Sequence, residues 1–394
     1  MSEQKNTQTK SAFFTWTKAI IFVLILALVI FIILYGRNIV DVRSIDSFIS
    51  LFSGNSSGRS TEANEIFYDD APSPEFIYID NHLIYNDGDS VKVFASNGSF
   101  VREINVNFSD SVILKNNHYM IIYRLGGKSL FLSSPTDDLH EITYDYPILA
   151  ACIGDGGYYA VVTENERYSS EVTVYSNTRH RPVYKYYFSN NELLLSLDVS
   201  PDNNQLSFLI MNTDSIHFET SLKIFRLDES EIQSSFSFEN SIGMAVKFLS
   251  NDFVSVVCDN KTFSVDIIGK TINAYDYGGY LLSTYDFCVN VNKSEAQTVL
   301  LINKYRYGNN CDMVILDYNG KLVTRKSLND EIKFISYDKD NYIVLSRKNL
   351  DIFDKEGIAK NTLPIENTAV AAFLKDKINI LIAERGRAYF CNIG

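Results

Sequence analysis

Few residues of this chain have the types and spacing that catalysis or metal binding requires. The five histidines, His82, His118, His140, His180 and His217, lie far apart in the sequence, and none forms an H-x-x-x-H or similar pair. Closely spaced nitrogen or sulfur ligands are the usual sequence sign of a zinc site. We therefore predict no metal site and expect each histidine on a loop or a strand surface.

One short motif matches a hydrolase signature. Gly54 to Gly58 reads G-N-S-S-G, which fits the G-x-S-x-G pattern of a nucleophile elbow. That elbow works only where a strand enters and a helix leaves a strained turn. The surrounding segment, GNSSGRSTEAN (54–64), is small and polar, so it is interpreted as a flexible linker. We assign no catalytic residue.

Several charged groups remain as binding candidates. Arg179–Arg181 (RHR) and Lys185 form one basic cluster, which is either solvated surface on a hairpin tip or a site for an anionic partner. Asp137, Asp138 and the turn Asp338–Asn341 carry oxygen ligands of the kind that suit calcium. Because Asp and Asn are also common turn formers, a structural role in turns is favoured for them.

The cysteines give no sign of a metal or redox site. Cys152, Cys258, Cys288, Cys311 and Cys391 are odd in number and widely spaced, with no C-x-x-C. They are interpreted as small core hydrophobes. One disulfide is the alternative in an oxidising compartment, and Cys288 with Cys311 is the pair closest in sequence.

The charge of the chain argues against nucleic acid as a partner. The formal net charge is -12 and the sequence pI is near 5.0, whereas a phosphate backbone attracts a broad positive field. Residues 1–18 are an exception, because Lys5, Lys10 and Lys18 outnumber Glu3 there. The basic terminus and the acidic remainder are expected to occupy different environments.

An apolar run near the N-terminus predicts one membrane-spanning helix. Residues 20–34 read IIFVLILALVIFIIL, and residues 19–36 would span about 27 Å as a helix, close to the thickness of the hydrocarbon core. The run exceeds a usual signal-peptide core and lacks an A-x-A-like cleavage site. With lysines on its N-terminal side, we predict a cytoplasmic tail (1–18), an uncleaved anchor (19–36) and an extracytoplasmic C-terminal domain.

Residues 37–63 are predicted to connect the anchor to the folded domain. Their first half has apolar residues at helical spacing, which fits either a short interfacial helix or a simple stalk, and the polar linker follows. The folded domain is predicted to cover residues 64–394.

That domain is predicted to be all-β. It is a series of short β-prone runs separated by Asn, Asp, Gly and Ser, and the chain has 25 Tyr and 26 Phe, which favour strands. A clear unit has four runs, FIYID (76–80), HLIYN (82–86), SVKVFA (90–95) and FVREINV (100–106), the last two joined by an Asn-Gly turn. The same phrase returns as MVILDYNGKLVTRKSL (313–328) and LDIFDKEGIAKNTL (350–363).

These repeats indicate a β-propeller. Units starting near 76, 111, 147, 193, 243, 281, 331 and 368 have the size of a four-stranded blade. The last unit has room for three strands, and NEIFYD (64–69) precedes the first unit without a partner, so it is predicted to close the ring. Eight blades are preferred and seven are the alternative. A pair of β-sandwiches or a β-helix fits the repeat less well.

The repeat phrases resemble known propeller families. Ser200–Phe208 (SPDNNQLSF) is similar to the S-P-D-G turn of TolB-like repeats, with Asn203 in place of the usual glycine, and VFASNGSFV and ILDYNGKLV look like PQQ-like repeats. With the N-terminal anchor, the layout resembles an uncharacterised family of Gram-positive membrane-anchored propeller proteins. The resemblance implies a fold and a location but no catalytic residue. No quinone cofactor is expected, because the only tryptophan is Trp16.

Two classes of function follow for this domain. The first is a non-catalytic propeller, not an enzyme, that binds an envelope protein or a cell-wall polymer or serves as a scaffold for it. This class is favoured because no catalytic signature appears and a ring presents many loops. The second is an extracytoplasmic enzyme acting on glycans or peptides. Carboxylates with a raised pKa clustered in the central channel would favour the second. A third hypothesis, with less support, is a sensor that relays a signal through the helix to the short cytoplasmic tail.

Overall fold

A computed structural model describes residues 65–176, 180–214, 219–229, 232–290, 292–306, 311–328, 330–338 and 340–393. The predicted tail, anchor and linker lie outside these ranges and stay predictions, as does the G-N-S-S-G motif. Within the described ranges no helix has the length and apolar character needed to cross a bilayer.

The described chain forms eight antiparallel sheets of four strands. The strands that precede and build blades 1 to 4 are β1 (Glu65–Phe67), β2 (Glu75–Ile79), β3 (His82–Asn86), β4 (Val91–Ala95), β5 (Phe100–Ile104), β6 (Ser111–Lys115), β7 (Met120–Arg124), β8 (Ser129–Ser133), β9 (Asp138–Thr143), β10 (Ile148–Ile153), β11 (Tyr159–Thr163), β12 (Ser170–Ser176), β13 (Arg181–Phe188), β14 (Glu192–Val199), β15 (Gln205–Asn212), β16 (Glu219–Arg226) and β17 (Ile232–Glu239).

Blades 5 to 8 continue the same order. Their strands are β18 (Gly243–Phe248), β19 (Phe253–Cys258), β20 (Lys261–Asp266), β21 (Thr271–Asp276), β22 (Leu281–Cys288), β23 (Gln297–Asn303), β24 (Cys311–Asp317), β25 (Leu322–Leu328), β26 (Ile332–Asp338), β27 (Asn341–Ser346), β28 (Asn349–Asp354), β29 (Ala359–Pro364), β30 (Ala369–Leu374), β31 (Asn379–Glu384) and β32 (Arg387–Asn392). A 3-10 turn, Lys293–Glu295, precedes β23.

This architecture confirms the predicted eight-bladed propeller. The innermost strands β2, β6, β10, β14, β18, β22, β26 and β30 begin within one residue of the predicted unit starts. The seven-blade alternative is wrong, because each predicted unit forms its own sheet.

Glycines in the hairpins account for the repeated strand-turn-strand pattern of the sequence. Gly98, Gly320 and Gly357 have φ of 87°, 76° and 76°, a backbone region that glycine enters without a steric penalty. In each of these hairpins the glycine N–H donates to the carbonyl three residues earlier, at 2.9 Å. Asn203, which replaces the usual glycine of the S-P-D-G turn, adopts φ 61°. Asn tolerates this left-handed region of the backbone, so the turn is kept.

The core lies between blades. In the second strands both faces are covered, as in β19 where every residue is buried, whereas an outermost strand such as β17 alternates between buried and exposed residues. Side chains of neighbouring blades form shared clusters, for example Phe188, Phe208 and Phe225 between blades 3 and 4. Because each blade buries its faces only against its neighbours, the ring depends on closure.

Strand β1 supplies that closure, as predicted from NEIFYD. It pairs antiparallel with β32 and becomes the outermost strand of blade 8. Ile66 is buried (1% exposed) and the Tyr68 hydroxyl lies 2.7 Å from the Glu384 carbonyl oxygen and 2.6 Å from that of Arg387. The Tyr68 ring also stacks on Tyr85 of blade 1, at 4.4 Å between centroids. The first residues of the domain therefore join its last blade to its first.

The ring has two different faces. Every innermost strand runs in the same direction along the central channel. We call the mouth where these strands begin the entrance mouth and the mouth where they end the exit mouth. In blades 3 to 8 the innermost strand carries a bulge in its first four residues, at or beside residues 149, 195, 244, 283, 333 and 370. Bulges redirect side chains and strengthen twist, which distinguishes the entrance mouth from the more regular exit mouth.

Closure can be tested with two adjacent residues of β1. Ile66→Ala should lower the free energy of unfolding by about 2–5 kcal/mol, because it opens a cavity in the closing contact. Phe67→Ala, the matched control, should change it by about 0.5 kcal/mol or less, because Phe67 is 66% exposed. Urea denaturation of the two variants measures the difference, and equal effects would show that β1 is not the closing strand.

Candidate functional site in the central channel

Charged side chains converge at the exit mouth. Lys115, Asp198, Lys247, Asp286 and Asp338 lie within the last three residues of the innermost strands of blades 2, 4, 5, 6 and 7. Asp155 and Asp376 lie two residues beyond the ends of the innermost strands of blades 3 and 8. Since these strands surround the channel, one mouth of the ring holds five carboxyl groups and two ammonium groups.

One pair in this group fastens two blades together. Lys247 Nζ lies 2.9 Å from Asp198 Oδ1, and Asp198 Oδ2 accepts a hydrogen bond from the Phe248 N–H at 2.8 Å. The Asp198 carboxylate is only 4% exposed. Burial lowers the pKa of Lys247, but the charges of Asp198 and Asp155 outweigh it and hold that pKa above its usual value. Burial raises the pKa of the Asp198 carboxyl, an effect that Lys247 and the Phe248 N–H oppose. The pair ties blade 5 to blade 4.

Asp286 is the unusual carboxyl group. Burial raises its pKa from 3.8 to about 6, although the N–H groups of Phe287 and Tyr337 donate to it and Lys115 and Lys247 attract it. The Tyr337 N–H lies 2.9 Å from Asp286 Oδ2, which links blade 7 to blade 6. Among the described residues, the nearby ammonium groups of Lys247 and Lys115 contact Asp198 and the Tyr78 carbonyl oxygen rather than Asp286. Its negative charge is therefore only partly compensated.

Lys115 completes the network on the opposite side. Its ammonium group donates to the Tyr78 carbonyl oxygen at 2.9 Å, joining blades 2 and 1. Burial among the protein atoms of the mouth lowers the pKa of Lys115, an effect that the charges of Asp338, Asp286 and Asp155 oppose. The side chain is nevertheless exposed to the channel. The exit mouth is thus open enough for solvent at this point.

Two kinds of chemistry suit this arrangement. A carboxyl group that titrates near neutral pH can act as a general acid or base. An excess of carboxylates over ammonium groups can also bind a cationic ligand. A metal is less well served, because no group of three His, Cys, Asp or Glu side chains within the described residues has the geometry to hold one.

The four described histidines lie on strands or in turns and none is buried, which agrees with the prediction for them. His82 begins β3, His118 lies in an exposed turn, and His217 lies outside the described residues. The structure brings His140 and His180 together, with ring centroids 6.0 Å apart, although they are 40 positions apart in sequence. His180 stacks on Tyr175 at 4.2 Å, and burial together with the charge of His140 lowers its pKa. Contact between two blades causes this approach, and no sequence spacing could indicate it.

The basic cluster of the third unit is partly neutralised. Lys185 forms an ion pair with Glu171 on the neighbouring strand β12, while Arg179 lies outside the described residues. An open cationic patch for an anionic partner therefore has little support here, although Arg181 is exposed.

The acidic turn residues already have protein partners. Asp138 Oδ1 lies 2.6 Å from Arg102 Nη1, and Asp340 Oδ1 lies 2.7 Å from Lys355 Nζ. Asp137 lies in a turn and accepts a hydrogen bond from Thr136. These contacts agree with the turn-forming role, and they leave few carboxylate oxygens for calcium.

The cysteines are all free thiols. Cys152, Cys258, Cys288 and Cys311 are buried and Cys391 is partly buried, so the predicted core role is confirmed and the Cys288–Cys311 disulfide is not formed. Burial raises the pKa of Cys152, which lies beside the Asp198–Lys247 pair. Its thiol is therefore an unreactive neighbour of the channel.

A groove of about 530 Å³ lies elsewhere, between the outer strands of blades 6 and 7. It is lined by Lys326, Arg347 and Lys348 together with Asp330 and Asp351. Because opposite charges nearly balance along the groove, it has no clear preference for a ligand. The charged exit mouth remains the better candidate site.

Sequence comparison gives the chain a family. A profile described as a family of unknown function, DUF5711, matches residues 59–386. The chain belongs to this family. The match covers most of the chain and all but the last residues of the propeller, and it agrees with the expected resemblance to an uncharacterised propeller family. No curated protein matches the sequence.

Solved structures share the fold with DUF5711. The crystal structure of a eukaryotic initiation factor matches with a TM-score of 0.53 and 12% identity over 82% of this chain and 90% of that chain. Two structures of Hsv2 from Kluyveromyces lactis match with TM-scores of 0.49 and 0.48 and identities of 10% and 9%, each over 74% of this chain and 100% of the other. At such identities the first similarity indicates the fold alone.

The raised pKa of Asp286 predicts a pH dependence of stability. The folded chain holds the proton more tightly than the unfolded chain, so the free energy of unfolding should fall as pH rises from about 4 to 6. A pKa difference of about 2 corresponds to a loss of about 3 kcal/mol from this group. Asp286→Asn should remove that part of the dependence, as measured by urea denaturation at pH 4, 5, 6 and 7.

The matched control is Asp89→Asn, an exposed carboxylate on a turn of blade 1. It should leave the pH profile of the wild type unchanged. If Asp286→Asn shows the same decline as the wild type, the Asp286 carboxyl group is not the one that titrates near pH 6.

Proposed function

We propose that this DUF5711 protein is a membrane-anchored, extracytoplasmic binding module whose propeller docks an envelope protein at its entrance mouth. The observation that carries the proposal is a rim of exposed apolar side chains there. Leu149, Leu193, Ile242, Met244 and Leu281 lie at the starts of the innermost strands of blades 3 to 6 and are each between 37% and 49% exposed. Exposed apolar residues that recur at equivalent positions mark a protein-binding surface.

The bulges of the innermost strands support this role. Leu149 and Met244 are the extra residues of the bulges in blades 3 and 5, where the backbone ladder is interrupted. A bulge bends its strand, and the bend changes the direction in which the side chain of the unpaired residue points. Keeping Leu and Met at such positions costs solubility unless the side chains are covered, which favours a partner with apolar groups over a highly polar cell-wall polymer.

The direction of β1 supports docking from the side away from the tether. An outermost strand runs from the exit face to the entrance face, so Glu65 begins β1 on the exit face. The first described residue of the propeller therefore lies on the face opposite the apolar rim. An anchored propeller of this kind presents the rim to other proteins of the envelope, and the predicted topology places these outside the cytoplasm.

Photocrosslinking from two positions of blade 5 tests this proposal. A photoreactive amino acid at Met244, on the rim, should crosslink one discrete protein in intact cells. The matched control at Ile268, which is 73% exposed on the opposite face of the same blade, should not. The variant Leu193→Lys combined with Met244→Lys should reduce the crosslink from position 281 at least tenfold. Equal crosslinking from 244 and 268, or an unchanged yield in the double variant, would contradict the proposal.

A second candidate is an extracytoplasmic enzyme acting on glycans or peptides, because Asp286 has the raised pKa expected of a general acid. The charges of Lys115 and Lys247 act on the Asp286 carboxyl. The candidate ranks below the binding role, since the propeller offers no assigned nucleophile and Asp286 also fastens blade 7 to blade 6.

Hydrolysis of purified cell-wall material tests the enzyme candidate. If the protein releases reducing ends or free amines, the rate should fall above about pH 6, where a general acid at Asp286 loses its proton. Asp286→Asn should then lower the rate by about 10²–10⁴-fold, while Asp89→Asn should retain it. Full activity in Asp286→Asn would eliminate this carboxyl group as the acid.

A further inference from the structure

Aliphatic side chains are exposed on hairpin turns of the exit face. In each blade the first and third strands run towards this face, so the turn that follows each of them lies there. Four neighbouring blades, 5 to 8, carry one exposed aliphatic residue in such a turn or directly beside it. These residues, which we call the exit tips, are Ile268 (73% exposed), Leu322 (43%), Ile358 (63%) and Ile378 (50%). The fold thus leaves an arc of apolar side chains uncovered along one half of the exit face.

An aspartate at or near the start of each turn fixes its backbone. A carboxylate oxygen of Asp266 accepts hydrogen bonds from the N–H of Ile268 and from the next N–H, at 3.0 and 2.8 Å. In the other three turns the same role falls to Asp317, Asp354 and Asp376, each of which accepts two backbone N–H groups at 2.8–3.1 Å. Because such bonds fix the turn, the exposure of the tips is a property of the folded ring.

Contacts between blades hold the turns next to one another. The Asn273 side chain of blade 5 donates to Asn319 Oδ1 in the turn of blade 6, at 2.8 Å. In the turn of blade 7, Gly357 packs so closely on Thr324 of blade 6 that no Cβ atom fits between them. Each of these turns is therefore docked on the preceding blade. The tips follow one another around the ring from blade 5 to blade 7, and Ile378 continues the series on blade 8.

Lysines accompany the tips. Each tip has an exposed lysine within two residues, and these are Lys270, Lys321, Lys360 and Lys377. The turns comprise residues 266–270, 317–322, 354–360 and 375–379, and they contain six lysines and five carboxyl groups. Of these carboxyl groups only that of Glu356 belongs to an exposed residue. The outermost charges of the arc are thus mainly positive, although the formal net charge of the chain is -12.

The exposed lysines have few protein partners. Lys360 donates to Asn341 Oδ1 at 3.1 Å, and within the described part of the chain none of the four forms an ion pair. The other two lysines of these turns are engaged, since Lys355 pairs with Glu295 and Asp340 and Lys375 donates to the carbonyl oxygen of residue 96 on blade 1. The arc is therefore close to neutral overall, and the ammonium groups that point to solvent are available to phosphate.

The described chain also begins on this face and within the arc. Strand β1, the outermost strand of blade 8, runs from the exit face to the entrance face. In the predicted topology residues 37–64 connect it to the anchor, and they reach at most about 95 Å when fully extended. A tether of this length keeps the propeller at a high effective concentration near the bilayer, so individually weak contacts are sufficient.

We propose that the exit tips dock the propeller on the phospholipid surface in which it is anchored. The aliphatic side chains enter the headgroup layer, and the neighbouring lysines bond to lipid phosphates. The proposal rests on the membrane anchoring in the proposed function. Aliphatic groups are stabilised at the boundary between headgroups and acyl chains, and a lysine stem can extend along apolar surface while its ammonium group reaches the phosphates. In this arrangement the apolar rim of the entrance mouth faces away from the membrane.

A protein partner fits the exit tips less well. The core of a protein interface is a contiguous apolar patch, whereas the tips belong to separate blades. Exposed polar residues lie between them, among them Asn319, Glu356 and Lys377. A fluid bilayer accommodates separated side chains because its lipids rearrange around each one.

Tryptophan fluorescence of the full-length protein in vesicles tests the proposal. The only tryptophan is first removed by Trp16→Phe, and a single one is then introduced by Ile358→Trp. The vesicles contain phosphatidylcholine and phosphatidylglycerol, with or without bromine on the acyl chains near the headgroup. Bromine quenches tryptophan on contact, so the brominated lipid should lower the fluorescence roughly twofold or more if the side chain enters this layer. The matched control is Leu125→Trp, because Leu125 is also 63% exposed but lies in a turn of the entrance face, and it should not be quenched.

A second set of variants tests whether the tips act together. With the reporter Ile378→Trp, the combination of Ile268→Asn and Ile358→Asn should reduce the quenching at least by half, because each aliphatic side chain favours an apolar phase over water by about tenfold or more. The combination of Leu125→Asn and Tyr305→Asn, both in turns of the entrance face, is the control and should leave the quenching unchanged.

The outcomes separate this proposal from the proposed function. Absence of quenching at position 358, in vesicles that retain the protein through a high-salt wash, would overturn the docking and leave the anchoring intact. Equal quenching at positions 358 and 125 would also overturn it. Loss of the protein from the vesicles in the wash would overturn the anchoring and this proposal with it. Quenching that required added envelope proteins would show that a protein and not the lipid covers the tips.

Discussion

Closure of the ring is the constraint on which the rest of this structure depends. Each blade has two apolar faces that only its neighbours can cover, so a chain of blades is stable when the last one meets the first. Here three residues of β1 do this by pairing with β32, and Tyr68 extends the contact to both blades through its hydroxyl and its ring. The same closure fixes the diameter of the channel, and it thereby determines which side chains of different blades meet at the exit mouth.

The innermost strands carry residues that join neighbouring blades and also residues of the candidate site. Asp198 with Lys247 joins two blades through a compensated pair, and removing one partner of such a pair leaves an expensive buried charge. Asp286 joins two other blades through the N–H of Tyr337, yet its own charge stays poorly compensated. Contacts that only join two blades would not require a poorly compensated charge such as that of Asp286. Poorly compensated groups on a rigid frame, such as Asp286, are therefore the residues where a ligand has most to contribute.

The shared fold gives little guidance on function. Propellers support many unrelated activities, and a solved structure with 12% identity is similar to this chain in fold alone. DUF5711 has no described activity. The asymmetry of this chain is consequently the better guide to function, with an apolar rim at the start of its innermost strands and charges at their end.

The sequence by itself determined the all-β propeller class and the closing strand, and it reduced the number of blades to eight or seven. These depend on local signals, namely alternating strands, hairpin glycines such as Gly98 and Gly320, and an unpaired β-prone run at 64–69, all of which a one-dimensional pattern retains. The prediction of an anchor at 19–36 also depends on a local signal, the apolar run, and it stays a prediction because these residues lie outside the described ranges. Only the tertiary structure decided which groups meet across the channel. Lys115, Asp286 and Asp338 are separated by up to 223 positions, and Tyr78 reaches Phe373 only because the ring closes. No spacing along the chain encodes such contacts, since each blade contributes one residue and the circle sets the distances between them.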